Sequence, residues 1–194
     1  FLSHIRETDA IVNVVRCFDD DNVIHVAGKV DPISDIEVIQ TELCLADLGT
    51  VEKSLARWSK VAKAGQDKDA QRLVEVLKKC HTALDQALPV RSIAFSKEEL
   101  TVLKPLCLIT AKPAMFVGNV AEDGFEHNAY LDKLRAYGEQ QHAPVVAICA
   151  KTEAELADMD EADRLLFLHE MGLDEPGLNR LIRAAFTLLG LQTY

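Results

Sequence analysis

The chain has 194 residues, 48% of them apolar and 27% charged, with a formal net charge of −10. That is enough apolar material for one core and a projecting element, and the acidic balance excludes broad electrostatic binding to DNA or RNA while leaving room for a local basic patch. No apolar run approaches the ~20 residues needed to span a bilayer, and Cys17, Cys44, Cys80, Cys107 and Cys149 form no C-x-x-C pair, so they read as reduced core residues of a cytoplasmic protein.

Residues 1–8 read as a helix without a start signal. The chain opens on Phe1 rather than Met, and Tyr194 closely follows an apolar helix, so both ends are expected to lie inside a longer protein. Residues 10–18, a β-branched apolar run, predict a buried strand of a parallel sheet. An acidic loop follows, and residues 23–30 predict a short extended piece ending near Gly28. Asp31-Pro32 breaks the chain. Ser34 and Glu37 then stand at capping-box spacing and predict a helix start.

Along that helix Leu48, Val51, Leu55, Trp58 and Ala62 recur at alternating three- and four-residue intervals until Gly65. A second helix is predicted over 68–88, with Leu73, Leu77, Cys80, Leu84 and Ala87 in the same rhythm. Stripes this narrow suit two helices packed as an antiparallel hairpin, a coiled coil, better than helices lying on a sheet. Ser96 and Glu99 form a further capping box, opening a helix toward Leu103.

Residues 114–120 predict a second buried strand, 130–141 an amphipathic helix and 144–150 a third strand. Thr152 and Glu155 are spaced to cap a turn, and helices are predicted over 161–171 and 177–190, with Pro176 in the first turn of the latter. Strands separated by helices imply an α/β fold, a parallel sheet with crossover helices. The helical hairpin is an insertion. The expected division is a nucleotide-binding part at 1–33 and 106–194 and a helical part at 34–105.

Ligands of open α/β sheets bind outside the carboxyl ends of the strands. The second strand ends in Asn119-Val120-Ala121-Glu122 and the third in Cys149-Ala150-Lys151. This is the layout of the base-recognition end of P-loop GTPases, where Asn-Lys-x-Asp and Ser-Ala-Lys are usual. The Asn ties the two loops and touches the base. The Asp carboxylate, an acceptor only, selects the N1–H and the exocyclic amine of guanine. Here Glu122 replaces the Asp and Val120 replaces the Lys. Adenine presents an acceptor at N1 that a carboxylate would repel, so guanine selectivity should fail, and adenine would be read by main-chain groups near Val120. Asn119, Val120, Glu122, Cys149, Ala150 and Lys151 are the candidate base-binding residues. Alone, Asn-x-x-Glu fits a turn-forming Asn and a solvated Glu equally well; the Ala-Lys at the next strand end adds weight to the site.

Longer stretches carry a resemblance. Ile5-Arg6-Glu7-Thr8-Asp9-Ala10, Val14-Val15-Arg16-Cys17-Phe18, Ile24-His25-Val26-Ala27-Gly28-Lys29-Val30-Asp31-Pro32, Asn119-Val120-Ala121-Glu122-Asp123-Gly124-Phe125-Glu126, Glu175-Pro176-Gly177-Leu178-Asn179-Arg180 and Leu191-Gln192-Thr193-Tyr194 together resemble the YchF/Obg-like ATPase family across the whole chain. The resemblance implies a P-loop nucleotide-binding fold with a coiled-coil insertion, ATP preferred over GTP, ATP hydrolysis and association with the ribosome. It matches His25 to a loop histidine proposed to position water in place of the usual glutamine, a task a neutral imidazole can perform.

The phosphate-binding motif G-x-x-x-x-G-K-[S/T] does not occur in the chain. That loop, and the ligands of Mg²⁺, are expected before Phe1, and a TGS domain after Tyr194. The chain by itself is therefore expected to bind ATP weakly and not to hydrolyse it. The six histidines show no metal-ligand spacing. Lys60, Lys63 and Lys68 belong to a basic region of the hairpin that reads either as a solvated coiled-coil face or as a ribosomal RNA contact. Two other readings stay open: a GTP-binding protein of the same fold, and a non-catalytic coiled-coil interaction module.

Overall fold

The computed structural model describes residues 2–20, 28–65 and 67–191. The chain forms two compact units. One comprises the residues up to Asp9 together with Glu37–Pro113; the other comprises Ala10–Ile36 and the chain from Ala114 onward. The division thus gives residues 106–113 and the first nine residues to the helical unit.

In the helical unit, α1 (Leu2–Arg6) is shorter than the sequence suggests. The reason lies in its last turn. Lys112 donates from Nζ to the carbonyls of Ile5 (2.6 Å), Arg6 (2.7 Å) and Thr8, satisfying acceptors that a longer helix would have used. The long helix α2 (Pro32–Ala64) and α3 (Lys68–Asp85) are the predicted hairpin, broken at Gly65.

Two corrections concern helix ends. Ser34 does not cap α2. Asp31 Oδ1 accepts from the amides of Ile33 (3.2 Å) and Ser34 (3.3 Å), and Pro32, which has no amide to satisfy, occupies the first position. At the far end of the hairpin, α3 stops before Leu88. Ala87 adopts a left-handed φ of 55°, its amide donates to Leu84, and the Leu88 amide donates to Ala83, a Schellman closure.

The two stripes meet as expected. Cys44 and Val51 pack with Leu73, Val76, Leu77, Cys80 and Leu84, joined by Val90, Leu103 and Leu108; Leu48, Leu55 and Trp58 cover the cluster. The helix α4 (Lys97–Leu103) carries its capping box complete, with the Ser96 amide donating to Glu99 Oε2 (2.8 Å) and the Glu99 amide to Ser96 Oγ (3.2 Å). Beneath α2 lies a feature the apolar pattern does not announce. Asp47 is fully buried, and its carboxylate accepts from the amides of Ile109 (3.0 Å) and Thr110 (2.7 Å), the Thr110 hydroxyl (2.8 Å) and Arg6 Nη1 (3.0 Å). Cys107, expected in the core, is exposed with a left-handed φ of 48°, because it closes the short helical turn Lys104–Leu106.

In the sheet unit three parallel strands run in the order β1 (Ile11–Arg16), β2 (Ala114–Asn119), β3 (Val145–Ile148). β2 is central and buried from Ala114 to Gly118, as its unbroken apolar run requires. The β1 residue opposite Asn119 is Arg16, and the β3 residue opposite it is Ile148, so the three strands end together. Residues 21–27, which hold most of the predicted second extended piece, lie outside the described residues.

The helix α5 (Ala129–Gln140) packs Leu131 and Leu134 onto this sheet with Phe116, Val15 and Cys17, and Tyr137 meets Phe116 edge to face at 5.5 Å. Gly118 makes the approach possible: a Cβ there would lie 2.9 Å from Leu131 Cδ1 and 3.1 Å from Leu134 Cδ2. Helices α6 (Ala150–Ala157), α7 (Glu161–Glu170) and α8 (Gly177–Leu188) follow β3. The turn predicted at Thr152 and Glu155 is instead the interior of α6, which begins directly at the strand end. Among the described residues no helix is long and apolar enough to cross a membrane.

Candidate functional site

The carboxyl ends of the three strands are tied into one corner by Asn119. Its carbonyl accepts from the Cys17 amide (2.8 Å), fixing the end of β1, and its side-chain Oδ1 accepts from the Ala150 amide (2.9 Å), fixing the first residue of α6. The amide of Val120 donates to Ile148 (2.8 Å). One asparagine therefore holds β2 to both neighbours at the position where α/β sheets bind ligands. Its Nδ2 donates to no group among the described residues, leaving amide donors for a ligand.

The six candidate residues divide into two kinds. Asn119, Ala150, Glu122 and Lys151 keep polar atoms at the surface of the corner. Val120 and Cys149 are 2% and 3% exposed and pack in the core, so their side chains cannot lie against a base; they can serve the corner through their main chains only. The Val120 amide is already committed to Ile148, which leaves its carbonyl for an exocyclic amine. Glu122 Oε1 and Lys151 Nζ, from the two different strand ends, are 2.7 Å apart. The hydrogen bond to Glu122 holds the Lys151 ammonium above its ordinary pKa. His25 lies outside the described residues.

Four residues that sequence reasoning passed over hold the corner in shape. Asn128 caps α5 by accepting from Tyr130 (3.0 Å) and Leu131 (3.1 Å), while its Nδ2 donates to the carbonyls of Cys17 (2.8 Å) and Gly124 (2.9 Å). Asn128 thereby ties the middle of the loop that carries Glu122 to the end of β1. A Cβ on Gly124 would lie 3.1–3.2 Å from the backbone of Ala121 and 3.3 Å from Asn128 Nδ2, so this turn suits glycine. Glu153 accepts from the amides of Gly177 (2.6 Å) and Leu178 (3.1 Å), seating a carboxylate on the first turn of α8. Arg180 donates to the Ala147 carbonyl (2.9 Å) and lies 5.7 Å from the Phe125 ring centre, bracing the same loop from α8. Asn128 before Ala129-Tyr130-Leu131 is a readable N-cap signal; the partners of Glu153 and Arg180 leave no such local mark.

At the amino end of β3 a separate cavity of about 570 Å³ is lined by Gly138, His142, Pro144 and Val145 among others. It includes none of the six candidate residues.

No family model matches the chain. Individual proteins do. The ribosome-binding ATPase YchF of Escherichia coli O157:H7 is 52% identical over 194 residues, covering all of this chain and 53% of that protein. The protein of the same name from Bacillus subtilis is 48% identical over 197 residues, covering all of this chain and 54% of its own length. All 194 residues are thus similar to proteins named YchF. The solved structure of the Schizosaccharomyces pombe YchF GTPase superposes with a TM-score of 0.85 at 29% identity, over 97% of this chain and 52% of that one. The α/β fold is thus the one YchF proteins share. The chain spans about half the length of the curated relatives it matches.

Proposed function

We propose that this chain carries the base-recognition part of a YchF-type nucleotide hydrolase that prefers ATP and works with the ribosome in the cytoplasm. The observation that supports this reading best is the 2.9 Å bond from the Ala150 amide to Asn119 Oδ1, which draws two strand ends around a half-buried asparagine amide. The donor set fits an adenine: amide hydrogens on Asn119 for a ring nitrogen, and the Val120 carbonyl for the exocyclic amine. Val120 and Cys149 line the site through main chain, and Ala150, Glu122 and Lys151 form its rim. His25 is the proposed water-positioning group.

The described residues do not fit the Mg²⁺ that phosphate transfer uses. Among the described residues no three His, Cys, Asp or Glu side chains are grouped to hold a metal. In this proposal the metal and the triphosphate are held by a G-x-x-x-x-G-K-[S/T] loop, a motif these 194 residues do not contain. The names of the relatives divide between ATPase and GTPase; the glutamate at position 122, in place of an aspartate, favours ATP.

Equilibrium titration of the intact protein with ATP and with GTP tests the reading. ATP should bind more tightly, and Asn119→Ala should weaken it about tenfold or more, as loss of a desolvated polar contact does. The isolated 194 residues should show no micromolar ATP affinity. An intact protein that prefers GTP, or is indifferent to Asn119→Ala, removes the reading.

The hairpin supplies the ribosomal surface in this proposal. Lys60 and Lys63 near the end of α2 and Lys68 at the start of α3 are exposed and have no ion-pair partner among the described residues. Lys78 and Lys79, further along α3, are paired with Glu75 and Glu99 at 2.8 and 2.6 Å. Unneutralised charge at the turn suits the phosphates of ribosomal RNA. Lys60→Glu, Lys63→Glu and Lys68→Glu together should reduce ribosome co-sedimentation in a salt-sensitive way; unchanged sedimentation counts against an RNA contact here.

A further inference from the structure

The nucleotide reading leaves open how a corner that still carries a carboxylate comes to favour adenine. Glu122 is exposed, yet it is not alone: its Oε1 and Lys151 Nζ are 2.7 Å apart, across the gap between the end of β2 and the start of α6. The other nearby anion that acts on Lys151 is Glu155, on the same helix as the lysine. Resting on the nucleotide reading above, we propose that the Lys151–Glu122 ion pair is the specificity-determining element of the corner. It disables the carboxylate as a guanine reader.

The argument is one of donors and acceptors. Guanine offers two donors, at N1 and at its exocyclic amine, and needs both oxygens of an available carboxylate. Adenine offers an acceptor at N1 and is repelled by that same group. An ammonium bound to Glu122 occupies one of its oxygens and offsets part of its charge, so the feature guanine requires is weakened together with the repulsion adenine would meet. The extra methylene of Glu relative to Asp lengthens the reach of the carboxylate toward the lysine of the neighbouring loop. On this account Lys151 has a task different from that of a lysine packed flat along a base. Truncating a packing lysine weakens both nucleotides alike, whereas truncating Lys151 releases a carboxylate and shifts the balance between them.

The test uses the intact protein and titrations with ATP and GTP. Lys151→Met should lower the ratio of ATP affinity to GTP affinity about fivefold, the scale of a solvent-accessible ion pair. Lys151→Arg should hold the ratio, since it preserves the pair. In a Glu122→Gln background, Lys151→Met should leave the ratio unchanged, because no carboxylate is left to release. Equal loss of both nucleotides on Lys151→Met, or a shift that persists in the Glu122→Gln background, overturns the proposal while leaving the nucleotide site in place. A wild-type protein that binds neither nucleotide overturns the site itself and the proposal with it.

Discussion

Asp47 and Glu122 are both carboxylates that join segments distant in sequence, and their surroundings differ in every other respect. Asp47, in the helical unit, is fully buried and receives four hydrogen bonds. Glu122, in the sheet unit, is exposed and meets a single lysine. A buried carboxylate is tolerable only when its acceptor sites are filled, so Asp47 has nothing left for a ligand and serves the fold. An exposed one keeps open acceptor sites and is held by one modest ion pair, so a change at Lys151 alone can alter what Glu122 offers to a ligand. The same side-chain chemistry yields architecture in one unit and a binding rim in the other.

This contrast can be broken most forcefully at Asp47. Asp47→Ala takes the acceptor from two buried amides and a buried hydroxyl and breaks the pair with Arg6, and should cost about 3–5 kcal/mol of stability in denaturant unfolding; an unchanged midpoint would show the node to be dispensable. Next in size is Gly118→Val, which forces a side chain against Leu131 and Leu134 at the base of the corner. It should cost about 1–3 kcal/mol, the range for overpacking, and should weaken ATP binding because α5 and the loop that leads into it are displaced. A smaller stability effect is expected at Asn119. Asn119→Ala leaves the strand ladder intact, so the melting temperature should move by only a few degrees, consistent with about 1 kcal/mol for one exposed side-chain bond, while nucleotide affinity falls sharply. A melting shift as large as that of Asp47→Ala would reassign Asn119 to the fold.

The smallest effect concerns the thiols. Burial pushes Cys17 and Cys44 up to about 11 and Cys80 up to about 12. Near neutral pH they are protonated in the folded and unfolded chain alike, so an alkylating reagent should label Cys107 in the native protein and the other four cysteines only after unfolding. As pH rises past the unfolded value of 9.0, the unfolded chain releases these protons first. Stability should therefore fall between about pH 9 and 11. Mass spectrometry of labelled peptides and unfolding midpoints across that range check both statements.

Much of the helical unit was legible because its signals are local. The stripe of Leu73, Leu77, Cys80 and Leu84 is a repeat along one helix, and the Ser96–Glu99 box is a reciprocal bond within one turn. The same box spacing misled at Ser34, where Asp31-Pro32 three residues earlier had already started the helix, and at Thr152, where Asn119 supplied the cap from another strand. Cys107 misled in another way, since an apolar neighbourhood in sequence did not become burial once the turn before it forced a left-handed residue.

Sequence by itself determined the three parallel strands, most of the helices between them, the hairpin and the two strand-end motifs, because periodicity and turn residues act over a few neighbours. Only the tertiary structure decided that Asp47 lies in the core, that Asn128 reaches Cys17 across 111 positions, and that Glu122 meets Lys151. Those contacts depend on distances in space that chain separation does not encode. A polar side chain carries no mark of its partner until the fold brings the two within about 3 Å, the reach of a hydrogen bond.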